Sequence, residues 1–167
     1  MTVSIQDIQA EDVVPFRIAV DRVAREGRFL ASNEAPSLDA VARFVSTNLE
    51  FGYPHVVALV DGALVGWCDI TPEGRPLKRH VGLLGIGVLE PWRRRGVGAA
   101  LLDAALARAT AAGFLRIELS VRTDNHAAIA LYRKRGFVEE GVKRMAIRVP
   151  DGFGDVLMMA YLSPALA

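Results

Sequence analysis

Apolar residues recur along the chain with two different periods, and the switches between them mark out the elements. A short alternating run near Val3 to Ile5 reads as a strand. In "AEDVVPFRIAVDRVARE", Val13, Phe16, Val20 and Val23 recur at helical spacing, and Glu11 and Asp12 sit where a helix start favours negative charge. "SLDAVARFVSTNL" puts Leu38, Val41, Phe44, Val45 and Leu49 on one helical face, with Ser37 as N-cap. The segment between these helices, "GRFLASNEAP", has neither period and reads as irregular. "HVVALVDGALVGWCDI" is two β-rich runs around Asp61-Gly62, a pair suited to the left-handed conformations of a tight hairpin.

After the polar break "TPEGRPLKR", the run His80 to Leu89, "HVGLLGIGVL", is apolar on both faces, as an interior strand is. It carries glycines that a strand normally avoids, which points to a bulge or a close backbone approach. Val97 to Ala112 reads as an alanine-rich helix ending at Gly113. "LRIELSV" returns as a strand with Ile117 and Leu119 opposed to Glu118 and Ser120. Strand, helix, strand in this order predicts a right-handed crossover with parallel strands. "NHAAIALYRKRG" is a further helix capped by Asn125 and stopped at Gly136. "FVEEGVKRMAIRV" and "DVLMMAYL" are two strands joined by the turn "PDGFG". With no repeat or linker, all 167 residues are expected to form one α/β domain.

Charge and composition narrow the partners. Twenty Lys+Arg against nineteen Asp+Glu leave a formal charge of +1, so no global field draws the protein to nucleic acid or an anionic membrane. The single cysteine, Cys68, has no disulfide partner and no neighbour at metal-ligand spacing. His55, His80 and His126 are scattered, so no metal is expected. The N-terminus lacks a signal-peptide pattern, and the longest apolar run falls far below the ~20 residues of a membrane span. A cytoplasmic protein is the expectation.

Against this neutral background, "EPWRRRGVGAALL" concentrates Arg93, Arg94 and Arg95 beside Gly96 and Gly98 at a helix start. Unpaired first-turn amides carry roughly half a positive charge, which suits a phosphate. A P-loop is ruled out because Gly98 is followed by Ala99 and Ala100, with no Lys-Ser/Thr. A dinucleotide fold is disfavoured by Leu101 in place of the third glycine and by "EPWRRR" where a tight turn belongs.

"GIGVLEPWRRRGVGAALL" resembles motif A of the GNAT superfamily of N-acetyltransferases, with Arg93, Gly96 and Gly98 meeting its Arg/Gln-x-x-Gly-x-Gly/Ala pattern. "TDNHAAIALYRKRGFVEEG" resembles motif B through Asn125, Ala128, Tyr132, Gly136 and Phe137. The resemblance implies a mixed, partly splayed central sheet of about seven strands with about four helices. It implies acetyl-CoA as co-substrate, its pantetheine arm pairing with backbone at Ile86, Gly87 and Val88. The diphosphate would rest on amides from Arg94 through Val97 to Ala99, with Asn125 and Tyr132 also touching the coenzyme. The Val88 amide, freed by a bulge, would bind the oxyanion, and Tyr132 would protonate the departing thiolate. For an ordinary phenol that transfer is uphill by only ~2 kcal/mol.

The base is the open position. Some relatives carry a glutamate where this chain has Gly82 and others where it has Ser120, leaving Glu118, His80, Asp69 or a water chain. An α-amine loses its proton at neutral pH for ~1.4 kcal/mol against ~4.6 kcal/mol for a lysine-like amine, which leans toward an amino-acid-like acceptor. Glu34, Trp67, Asp69 and His80 are candidate acceptor-site residues, along with "GRFLASNEAP" and the turn after Arg148. The expected reaction is acetyl transfer to a primary amine of a small molecule. The alternatives are a protein N-terminal acetyltransferase and a non-catalytic acyl-CoA sensor; a homodimer is compatible with each.

Overall fold

The computed structural model describes residues 2–164. The elements are β1 (Val3–Asp7), α1 (Val13–Arg25), α2 (Leu38–Phe51), β2 (His55–Val60), β3 (Ala63–Pro72), β4 (Val81–Val88), α3 (Val97–Ala111), β5 (Arg116–Arg122), α4 (His126–Lys134), β6 (Val138–Val149) and β7 (Gly152–Leu162). Local chemistry places most boundaries. Ser37 caps α2 by accepting from the Ala40 amide, and Asn125 caps α4 by accepting from the Ala128 amide. Asp61 and Gly62 both take positive φ, 49° and 81°, so the β2–β3 hairpin turns as the Asp-Gly pair requires.

The strands form one mixed sheet in the order β1-β2-β3-β4-β5-β7-β6, with β4 and β5 parallel and every other pair antiparallel. Helix α3 packs on one face through Val97, Leu101, Leu102 and Ala105, which meet Val56, Cys68, Ile70 and Ile117 in the larger core. Its alanines let the helix axis approach the sheet closely. Helices α1 and α2 cover part of the other face, where Phe16, Val23, Val41 and Val45 close over Val57 and Trp67 in a second core.

The β4–β5 ladder is short. Val81, Gly82 and Leu83 pair with Arg116, Ile117 and Glu118, and beyond them the strands diverge. Each then keeps only its outer neighbour: β4 follows β3 to Val88, and β5 follows β7 to Arg122. The sheet therefore opens as a wedge in its middle.

Candidate active site

A cavity of about 690 Å³ fills this wedge. Leu84 to Val88 line one side and Leu119 to Val121 the other. The start of α3, the face of α4, and Val23 with Arg28, Phe29 and Leu30 complete the lining.

Backbone direction decides what β4 offers the cavity. Glu73 N–H donates to Val81 and Leu89 N–H to Val65, at 3.0 and 2.9 Å, so the odd-numbered residues of β4 turn their polar groups toward β3. The register is unbroken between these two bonds. It follows that Leu84, Ile86 and Val88 turn their amides and carbonyls toward the wedge, where β5 has departed. The expected bulge at Val88 is not present; strand alternation alone aims its amide. The same alternation corrects Gly87, whose backbone faces β3. A register shift does occur in the sheet, between β2 and β3 at Ala58/Leu59.

Of the two causes expected for the glycines of β4, a bulge or a close approach, the second holds, and β3 side chains are what approach. A Cβ on Gly87 would stand 2.1 Å from the Trp67 ring, and one on Gly85 would stand 3.0 Å from Asp69 Oδ2. One on Gly82 would stand 2.5 Å from Ile70 Cγ2 and 3.0 Å from Ile117 Cδ1, so position 82 faces packed core and has no room for the glutamate of some relatives. Close approach of large β3 side chains is what these glycines serve.

At the other end, Gly96 takes φ +81° as N-cap of α3, and Arg94 takes φ +60°, uncommon for a residue with a Cβ. No side chain caps this helix, and its first intrahelical bond is Ala100 N–H to Gly96. The amides of Val97, Gly98 and Ala99 thus lack intrahelical partners beside the cavity. The Val97 side chain points away, into the core.

The three arginines diverge. Arg94 lines the cavity, and Arg95 lies over the Trp92 ring at 5.5 Å, outside the lining. Arg93 is engaged by protein: its Nε donates to the Val88 carbonyl at 2.8 Å, its terminal nitrogens bind both oxygens of Glu26 at 2.7 and 2.5 Å, and its guanidinium lies 4.5 Å over Phe29. It braces the end of β4 against the end of α1.

Tyr132 and Asn125 line the cavity from α4. The phenol is buried, which raises its pKa above the usual value. It stays protonated at any working pH, and passing its proton to a thiolate becomes harder than for an ordinary phenol. Asn125 uses its Oδ1 as the α4 cap.

The acceptor-site candidates scatter. Trp67 is buried in the second core, against Phe16. Glu34 is exposed and outside the cavity lining, and so is the β6–β7 turn. His80 is exposed at the opposite end of β4, where its carbonyl accepts from Leu115 and Arg116. Asp69 is 9% exposed on the α1 side of the sheet, behind Gly85, and burial raises its pKa to about 7. From "GRFLASNEAP", Arg28, Phe29 and Leu30 reach the cavity. Sequence reading missed Leu131 and Leu119, which line it, and Glu26, whose partner lies 67 residues away with no local signal.

Among the described residues no group of three or more His, Cys, Asp or Glu is arranged to hold a metal, and no helix is long and apolar enough to cross a membrane.

Comparison with known proteins converges on one family. The sequence profile of the Acetyltransferase (GNAT) family matches residues 23–137. The chain is 40% identical over 101 residues to the L-amino acid N-acetyltransferase AaaT of Escherichia coli, covering 58% of this chain and 61% of that protein. It is 39% identical over 108 residues to the N-alpha-acetyltransferase RimI of Mycobacterium tuberculosis, covering 61% and 65%. The alignments thus span somewhat less than two thirds of either relative. Among solved structures, a GNAT superfamily phosphinothricin acetyltransferase (Pat) from Sinorhizobium meliloti in complex with AcCoA superposes with a TM-score of 0.90 at 27% identity, over 97% of this chain and 89% of that one. Wedge, glycine-opened helix and profile coincide on the same residues, and the chain belongs to the GNAT family.

Proposed function

We propose that this chain transfers acetyl from acetyl-CoA to the primary amine of a small, amino-acid-like molecule. The observation that carries the reading is the wedge itself. It presents the backbone of Ile86 and the amide of Val88, whose carbonyl Arg93 holds, beside the bare N-terminus of α3 and the Phe29 and Leu30 side chains. Its dimensions and polarity suit a long, thin co-substrate with an anionic end.

In this reading the amides of Val97, Gly98 and Ala99 hold the diphosphate with Arg94 screening its charge. Ile86 pairs with the pantetheine amides. The Val88 amide donates to the thioester oxygen as negative charge grows there, a kind of contact whose loss costs ~2.7–4 kcal/mol in other enzymes. Tyr132 hydrogen-bonds the leaving sulfur, and solvent supplies the final proton. Arg93 serves as a positioning residue that holds the Val88 carbonyl. Trp67 and His80 are left out of the acceptor site, and so is Glu34.

An N-terminal acetyltransferase is the second reading, favoured by the similarity to RimI. Thiol release from acetyl-CoA is the test, with free L-amino acids in one arm and alanine-terminated tripeptides in the other. Faster turnover of free amino acids is expected. Faster peptide turnover supports the second reading, and tight acetyl-CoA binding with no thiol release in either arm supports a sensor.

A further inference from the structure

The acceptor must arrive protonated at neutral pH, and the residue that takes its proton is open. Register and alternation place Asp69 of β3, Leu83 and Gly85 of β4, and Glu118 and Ser120 of β5 on one face of the sheet, the α1 side. That face holds two carboxylates near the wedge. Glu118 accepts from Arg116 Nε at 2.7 Å, and Arg116 is also bound to Glu140. Asp69 has no hydrogen-bond or ion-pair partner among the described residues, although it is 9% exposed. A buried carboxylate left unpaired is costly unless it serves a purpose.

The geometry around Asp69 supplies one. Its Oδ2 and Oδ1 lie 3.0 and 3.2 Å from where a Cβ of residue 85 would stand, and residue 85 is a glycine whose backbone lines the cavity. Any side chain there would push the carboxylate aside. No cation faces it. The β2 strand presents His55, whose Nδ1 is bound by the Asn48 side chain, and β3 contributes Cys68 on the opposite face. The buried α1 residues are Phe16, Ala19, Val23 and Ala24, and β4 offers Leu83, Gly85 and Gly87 on this side.

We propose that Asp69 is the proton acceptor for the incoming ammonium, reaching it past Gly85 directly or through one water. This rests on the acetyltransferase reading above. An N–H bond of the ammonium breaks and an O–H bond forms on Asp69. The freed lone pair makes the C–N bond as the thioester C–S bond breaks, and the thiolate leaves with the electron pair. The second N–H proton, now on the cationic amide nitrogen, passes through solvent to the thiolate, and Asp69 returns its own proton to solvent. Burial raises the Asp69 pKa to about 7, close to the working pH, where a general base is most effective.

Two readouts test this with Asp69→Asn, an isosteric change that removes a buried charge. The first needs no turnover: infrared difference spectra of the free protein between pH 5 and 9 are expected to show a carboxyl band titrating near pH 7 that is missing from the variant. The second uses the best acceptor from the amino-acid and tripeptide panel. Wild-type kcat/KM should level off above about pH 7, while the variant, at least 30-fold slower at pH 7, should keep rising as the amine deprotonates itself. Acetyl-CoA affinity by calorimetry should be unchanged. A variant with wild-type rates, one with a parallel pH profile, or a titrating band that survives the substitution would each overturn the assignment. If no amine is acetylated by the wild type, the acetyltransferase reading fails by itself, and the infrared titration still decides whether Asp69 holds a proton near neutrality.

Discussion

Replacing Asp69 by asparagine should stabilise the fold, and increasingly so as pH rises. Burial raises the folded-state pKa of Asp69 to about 7 from its ordinary value of 3.8. A raised acid contributes stability that is complete below the unfolded pKa and is lost as pH climbs through the folded one, because the unfolded chain ionises freely while the folded chain resists. The lost stability grows by ~1.4 kcal/mol per pH unit across that window and stops growing above about pH 7. Between pH 5 and pH 8 the penalty therefore increases over two units, by ~2.7 kcal/mol, and asparagine escapes it. In a chain of this size that corresponds to a gain in Tm of ~5–10 °C at pH 8 relative to the gain at pH 5. Urea unfolding at both pH values, with m-values compared, measures it directly. Equal stabilisation at pH 5 and pH 8, or destabilisation at pH 8, would refute the buried-carboxylate argument and with it the raised proton affinity that the proposed base requires.

Other substitutions probe other parts of the wedge. Gly87→Ala places a methyl 2.1 Å from the Trp67 ring, so stability should drop by ~1–3 kcal/mol in a melt and acetylation should fall with it. Arg93→Ala should raise the acceptor KM at least fivefold while changing the acetyl-CoA Kd less than twofold, since Arg93 holds Glu26 and the Val88 carbonyl. Arg93→Lys should not restore it, because lysine cannot span both Glu26 oxygens. A dominant loss of coenzyme affinity would instead make Arg93 a diphosphate ligand. Tyr132→Phe should lower kcat at least tenfold with acetyl-CoA affinity little changed; equal activity removes the phenol from the mechanism. His55, buried with its pKa lowered to about 4, contributes stability that is present above pH 6.5 and is lost as pH falls toward 4, by ~3 kcal/mol in all. Urea midpoints of His55→Asn should lack that acid limb.

Much of the architecture can be read from local signals, because caps, tight turns and periodicity act over a few residues. Ser37 and Asn125 cap their helices by bonding amides three positions on, and Asp61-Gly62 turns the hairpin through its own φ preferences. The motif around Gly96 is equally local: a left-handed glycine and the bare amides after it are neighbours in the chain. What surrounds the reacting atoms is different in kind. Glycines in β4 are compatible with a bulge or a close approach, and only the β3 side chains lying opposite, Trp67 and Asp69, decide for the latter. Arg93 reads as a phosphate ligand until folding brings Glu26 to it across 67 residues, and Trp67 reads as a cleft wall until Phe16 covers it. Asp69 is one acid among many in the sequence; its register against Gly85 and its place beneath α1 strip away most water and every ion-pair partner, and that environment is what raises its proton affinity. Residue type and short-range geometry belong to the sequence, whereas burial and partnership are sums over distant segments that exist only once the sheet has assembled.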